Sequence, residues 1–483
     1  MSQSCTISEK KWMILVSVCL GGFMATLDTS VVNIILPVLV RELETNFACI
    51  QWVTLIYLLT VTVLILVFGR LGDMIGKKTI YLTGFVVFTL GSILCSLSTN
   101  VFFLIAVRAF QGIGGAMIMA LGFAIATAAF PKQERGMAMG IIGTVVSVSI
   151  VLGPVIGGLL TSWQSWRWVF IINLPIGLFG IWMVLRYVPK TIKTVHSGFD
   201  VIGSLLLFLF LSGLLLSLAF SQAGAAVSLK TALSLVLFLL ALCGFIFTQR
   251  RSAAPIVDLR LFSNSTFRTG LINNFATFLS MTGSMILVAF FLQNVIGFEI
   301  RKAGLFISVI PLFMGLTSAL TGRLADRYTP VAIVVIGQFI LIAAYILLAF
   351  VNTEATPLEI ILRFAFLGVG MGFFMPPNHA LIMGSVPKSR LGIASGLMTL
   401  SRTLGQVIGV SLLSMLWVLR TRANALHPIF KDIIDASVSA KVKGFSDTML
   451  MVSVLMGFTL FNSILNYHVI KSTDSDAQSE ALP

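Results

Sequence analysis

Runs of about twenty apolar residues recur from one end of this chain to the other, each long enough to cross the hydrocarbon core of a bilayer as a helix. Fourteen are marked, at 12–38, 50–71, 79–97, 101–128, 137–161, 167–187, 200–219, 229–248, 267–293, 303–324, 331–351, 358–384, 391–418 and 448–470. In 483 residues that leaves about 34 for each span and its loop, with little room for a separate soluble domain. Apolar residues make up 57% of the chain and charged residues 10%. Soluble proteins carry roughly a quarter of charged residues, so this balance excludes them. The expected fold class is an all-α polytopic membrane protein.

Two charged turns between spans share a pattern: FGRLGDMIGKK at Phe68–Lys78 and TGRLADRYTP at Thr321–Pro330. Gly69, Arg70, Leu71 and Asp73 recur as Gly322, Arg323, Leu324 and Asp326, at a constant offset of 253. RAFQGIGG at Arg108 is echoed by RFAFLGVGMG at Arg363, and LGPVIG at Leu152 by LGQVIG at Leu404. Transporters are built from such internal repeats. Six spans at the average spacing would give an offset of only roughly 204, and the excess is room for two more spans. Spans 200–219 and 229–248 have no counterpart in the repeat. The expected plan is therefore six, two and six helices: a bundle over 1–187, two inserted helices with linkers over 188–266, a second bundle over 267–471, and a cytoplasmic tail over 472–483.

A net charge of +14 points to nucleic acid in a soluble protein. Here it reads as topology, and no nucleic-acid partner is expected. One set of loops with both termini holds 19 Lys and Arg, the other set 10, and three (Arg108, Arg363, Arg402) fall inside spans. Cytoplasmic loops carry the excess, so both termini are expected inside the cell membrane. The first span, flanked by Lys10 and Lys11, reads as a retained helix rather than a cleaved signal. The long 419–447 loop is then external, with a short amphipathic helix on the outer surface. The five cysteines have no metal spacing; a Cys49–Cys95 bridge and five unpaired thiols both stay open.

Several stretches carry a family resemblance: LDTSVVNIILP (Leu27–Pro37), QWVTLIYLL at the start of the second span, GRLGDMIGKK, RAFQGIGGA, GPVIGG (Gly153–Gly158), SWRWVFIINLPIG (Ser165–Gly177) and SRTLGQVIG (Ser401–Gly409). In order and spacing they resemble the major facilitator superfamily, in particular its fourteen-span drug:proton antiporters. The resemblance implies the major facilitator fold with 14 transmembrane helices. It implies multidrug efflux by alternating access, driven by the proton motive force. It also implies an inside latch at Gly69, Asp73, Gly76 and Lys77, with Glu134 and Arg135 as partners. A solvated turn that only sets topology is the plainer reading of those residues. Gly153, Pro154, Gly157 and Gly158 would form the antiporter motif, a kinked face against the second half that limits leak; close packing by small residues is the plainer reading.

Asp28 is the one acid placed deep in a span, ~15 Å below the outer surface. An intramembrane carboxylate costs roughly 2.5–3.5 kcal/mol on insertion scales and is functional by default. It is read as a proton carrier, or else as a neutral acid bonding neighbouring helices. Arg108 lies ~10 Å deep, a similar level, and is read as its counter-charge or as a packing residue. Asn33, Trp52, Tyr57 and Gln111 are the candidate cavity residues. Arg363 and Arg402 read as structural, His379 as a residue satisfying the kink at Pro376 and Pro377, and Trp163, Trp166 and Trp168 as interfacial anchors. No cofactor or metal is implied. Among His196, His379, His427 and His468 there is no catalytic or metal cluster, and no sizeable output domain for a sensor. The expected function is proton-coupled efflux of amphipathic or cationic compounds. The alternative is export of a metabolite, fatty acid or lipid-like anion on the same fold. Expected partners are a small amphipathic substrate, protons, the lipid bilayer and, where the host has an outer membrane, a periplasmic adaptor.

Overall fold

The computed structural model describes residues 2–45, 47–50, 52–163, 165–190, 200–222, 229–251, 259–425 and 436–480. Among these all regular structure is helical. Helices satisfy every backbone group within the segment, which a lipid environment demands. The chain divides into two compact units, Met1–Leu261 with Val386–Leu400, and Phe262–Ser385 with Ser401–Pro483.

The first unit holds α1 (Ser2–Glu42), α2 (Phe47–Ile50), α3 (Trp52–Ile75), α4 (Lys77–Ser96), α5 (Val101–Ala129), α6 (Arg135–Trp163), α7 (Trp168–Ile171), α8 (Asn173–Tyr187), α9 (Val201–Gln222) and α10 (Leu229–Arg251). The second holds α11 (Ser265–Asn294), α12 (Ile300–Ile307), α13 (Val309–Arg327), α14 (Pro330–Ala349), α15 (Pro357–Gly384) and α17 (Val438–Glu480). Between them in sequence, α16 (Leu391–Ala423) begins in the first unit and continues in the second. Thirteen described helices are long and apolar enough to cross a membrane, and Val201–Ser217 within α9 is a shorter apolar one. The all-α polytopic class is thus observed.

Two expected spans are broken. The 167–187 run divides at Ile172 and the 303–324 run at Ser308. In each, the following helix carries proline as its third residue, Pro175 or Pro311. Proline lacks an N–H and costs a helix no backbone bond in its first turn, where that group is unbonded. The first break sets Asn173 at the start of α8, which matters below. It also turns Trp166 inward: this ring is 1% exposed and packs edge-on against Phe170, whereas Trp163 and Trp168 are exposed. One of the three expected interfacial anchors is therefore a core residue.

In lipid, apolar burial does not drive helices together; close approach does. Gly153 and Gly157 on α6 abut α1, where an added Cβ would run into Ser30 and Val31. At these two positions the neighbour of the expected antiporter face is α1. Gly158 points to open space, and the side chain of Pro154 lies outside the described residues. α9 packs on α10 and touches α3. The apolar window of α10 is only 17% buried, against 67% for α5 and α11. Of the expected 419–447 loop, the first residues continue α16 to Ala423 and those from Val438 belong to α17, while residues 426–435 lie outside the described residues, as do the side chains of His196, His427 and His468. α17 runs on through the expected tail to Glu480. Cys19, Cys49, Cys95 and Cys243 form no disulfide.

Candidate functional site

Polar residues in the first unit converge from five helices. Asp28 comes from α1, Tyr57 from α3, Ser92 and Cys95 from α4, Arg108 and Gln111 from α5, and Asn173 from α8. Arg108 and Gln111 are three apart, as are Ser92 and Cys95, so each pair shares one helix face. Asp28, Arg108, Gln111, Ser92 and Asn173 are all buried, with at most 1% exposed.

Arg108 Nη1 donates to Asp28 Oδ2 at 2.6 Å, an ion pair with both side chains out of solvent. The other carboxylate oxygen, Oδ1, accepts from Gln111 Nε2 at 3.1 Å and Asn173 Nδ2 at 3.0 Å. Every contact is donated to Asp28, the pattern an acceptor-only carboxylate takes. Arg108 Nη1 also donates to Gln111 Oε1 at 2.7 Å, and its Nε to Val53 O at 3.1 Å. Ser92 Oγ accepts from both Gln111 and Asn173, and Cys95 Sγ donates to Gln111 Oε1. The guanidinium carbon stands 4.3 Å from the centroid of the Tyr57 ring, a cation–π contact. Arg108 Nη2 and Asn173 Oδ1 have no hydrogen-bond partner.

Of the candidates from sequence, Asp28, Arg108, Gln111 and Tyr57 are brought together. Asn33 and Trp52 are not. Asn33 is exposed and accepts from Thr54 Oγ1 at 3.2 Å; Trp52 is half-buried at the start of α3. Each stands five residues before or after a cluster member, a step that turns about 140° around a helix. Asn173 and Ser92 join the cluster unannounced. A lone amide in the apolar run before Pro175 was the legible signal for Asn173; Ser92 has none that separates it from packing serines.

A second assembly lies at the α3–α4 turn. Asp73 Oδ1 and Oδ2 accept from the backbone N–H groups of Gly392 and Ile393, each at 3.0 Å, at the N-terminus of α16. That terminus carries a partial positive charge and unbonded N–H groups, which suit a carboxylate. Lys77 Nζ pairs with Asp73 at 2.8 Å, and both are buried. A side chain on Gly392 would strike Gly69 O and Asp73, so α3 and α16 meet backbone to backbone. Gly76 takes φ 119°, a conformation glycine permits without strain, and so lets α3 turn directly into α4. The expected partners lie elsewhere. Glu134 is ion-paired with Lys11, and Arg135 Nε is buried without a hydrogen-bond partner.

In the second unit His379 is buried and hydrogen-bonded to Asn274 at 3.2 Å, and Asn378 Nδ2 donates to Gly270 O at 3.1 Å.

The sequence pattern of the Major Facilitator Superfamily matches residues 18–410. The chain is 33% identical to the riboflavin transporter RibZ of Clostridioides difficile, over 84% of this chain and 88% of that one. It is 28% identical to the multidrug transporter protein MdtP of Bacillus subtilis, covering 91% and 82%, and 30% identical to the multidrug resistance protein Stp of Mycobacterium tuberculosis, covering 90% and 82%. Its fold resembles the crystal structure of the human organic anion transporter MFSD10 (TETRAN), with a TM-score of 0.66 at 16% identity, covering 92% of this chain and 99% of that one. The chain belongs to the Major Facilitator Superfamily, a family of membrane transporters and not of enzymes.

Proposed function

We propose that this transporter exports amphipathic small molecules across the cell membrane by alternating access, driven by proton entry, with Asp28 as the proton-carrying group. The buried Asp28–Arg108 pair and its amide partners carry the reading. A proton added to Oδ1 displaces one of the amides, and one added to Oδ2 takes its remaining lone pair; either way the acid loses its charge and holds Arg108 less strongly, which frees α1 to move against α5. Arg108 keeps Val53 O and Gln111 Oε1 when it lets go, and Nη2 and Asn173 Oδ1 supply spare positions for new bonds. The titration is thereby tied to helix movement, which is what coupling requires. Names of relatives agree with a small-molecule cargo: multidrug substrates for two, riboflavin for a third.

The plan of six, two and six spans belongs to the same proposal, with α9 and α10 peripheral to transport. So does the orientation, with both termini cytoplasmic. A cysteine at Ser437 is expected to label from outside intact cells and one at Ser475 not to; outside labelling at Ser475 overturns the orientation. The coupling test is pH-driven substrate flux in vesicles holding wild type, Asp28→Asn or Asp28→Glu. The Asn variant is expected to bind substrate and lose gradient-driven accumulation, while Glu retains part of it. Accumulation that survives in the Asn variant moves coupling away from Asp28.

A further inference from the structure

Arg402 lies on α16 about 16 Å from the start of the helix, near the middle of a bilayer core. It is half-buried, its Nε is buried with no hydrogen-bond partner, and it makes no ion pair among the described residues. The ring of Phe278, 5.9 Å from its guanidinium carbon, is a weak contact by comparison with a carboxylate. α11 and α16 contain no acid, and the one acid of α15, which carries His379, is Glu359 in its first turn, about 30 Å along the helix from His379, so no side chain of these helices can neutralise it. The neighbouring Ser401 Oγ accepts from Asn274 Nδ2 at 2.7 Å, and Asn274 Oδ1 meets His379 Nε2 at 3.2 Å. An amide oxygen only accepts, so His379 carries its proton on Nε2. Phe278 is one helical turn beyond Asn274, which puts Arg402 and this chain of donors on one face of α11.

We propose that Arg402, with Ser401, Asn274 and His379 beside it, forms an anion subsite that receives a carboxylate, sulfonate or phosphate group of the transported molecule. An unpaired guanidinium at this depth is costly, and a planar fork with free N–H groups matches the two oxygens of an oxyacid. Phe278 supplies an apolar wall for the rest of an amphipathic molecule. The charge count points the same way. Asp28, the acid placed deep in a span, is already matched by Arg108, whereas Arg402 has no ion pair among the described residues. The favoured substrate is thus an amphipathic anion or zwitterion rather than a simple cation.

This rests on the export reading, but its test reads binding alone, so a failure of proton coupling leaves it standing. The full chain in phosphatidylcholine nanodiscs is titrated with 1-pyrenebutyrate and with 1-pyrenebutanol, which share a body and differ in charge. Energy transfer from tryptophan reports occupancy. Wild type is expected to bind the acid at least about tenfold more tightly than the alcohol, the scale of a charge-assisted hydrogen bond. Arg402→Gln is expected to bring the acid down to the affinity of the alcohol, which itself stays unchanged, and Arg402→Lys to keep part of the preference. Equal affinities in wild type overturn the proposal, as does a preference that survives in Arg402→Gln. If Arg402→Gln does not fold, the wild-type comparison still decides. A third arm adds phosphatidylglycerol to the nanodisc. Loss of the acid preference there assigns the subsite to a lipid head group and likewise overturns it.

Discussion

The two units treat buried charge in opposite ways. The first surrounds one positive and one negative group with partners until Arg108 Nη2, Asn173 Oδ1 and the Tyr57 hydroxyl remain over. The second holds Arg402 beside amide, hydroxyl and imidazole groups and provides no acid for it. A matched pair carries no net charge and needs nothing further to complete it. An unmatched group is incomplete until something else arrives. The difference teaches where to look for each half of the proposed transport cycle: the driving ion is sought at the closed pair, the cargo at the open charge.

The strongest test of this contrast removes one charge at a time and reads thermal stability. Arg108→Gln strands Asp28 in a buried site and is expected to destabilise the protein by about 3–5 kcal/mol. The double variant Asp28→Asn/Arg108→Gln should recover most of that loss without restoring coupled transport. Arg402→Gln should leave melting unchanged or raise it, because it deletes a charge that nothing compensates. A fall in melting temperature with Arg402→Gln comparable to that of Arg108→Gln would erase the distinction between the units.

A smaller effect is expected at the α3–α4 turn. Asp73→Asn loses the Lys77 ion pair and one carboxylate acceptor for the α16 N-terminus. Turnover in vesicles should fall about tenfold with insertion into the membrane preserved, the scale of one or two charge-assisted hydrogen bonds. Unchanged turnover would return these residues to a turn that only sets topology.

The smallest effect compares two asparagines of the first unit. Asn173→Ala removes a bond to Asp28 and should lower coupled flux several-fold, equivalent to about 1 kcal/mol. Asn33→Ala, on an exposed face, should stay within about 0.5 kcal/mol in stability and within twofold in flux. Equal effects at the two positions would mean that the buried cluster does not define the coupling site.

The spans were readable because lipid punishes every polar group, so their ends are marked by charge and their interiors by its absence. Most of the observed helices begin or end within a few residues of the expected runs for that reason, α3 at Trp52 and α4 at Ser96 among them. The same penalty made Asp28 and Arg108 stand out. What stayed hidden has physical causes. The N–H groups of Gly392 and Ile393 that hold Asp73 belong to the backbone, which every residue has, so no side chain announces them. Asn33 and Trp52 had the right chemistry on the wrong side of their helices, since depth is legible in a sequence but azimuth is not without a pattern of polar neighbours. Arg402 read as structural because nothing in its own span says whether an acid on another helix faces it; only the packing of α11 and α15 against it shows neutral groups there.

Two of the unused valences at the Asp28 cluster, Arg108 Nη2 and Asn173 Oδ1, bear on speed. A carboxylate that had to shed all its donors before meeting a new set would pass through a bare charge in a dry interior. That state costs several kcal/mol, and each 1.4 kcal/mol added to an activation barrier slows a step tenfold. On the proposed coupling, with Arg108 Nη2 and Asn173 Oδ1 idle, bonds can be handed over one at a time, and the next arrangement is expected by exchange rather than by rupture. Filling either vacancy, for instance with a hydroxyl placed to bond Nη2, would tighten the resting state and lengthen the dwell in it, a slower machine made by completing its hydrogen bonds.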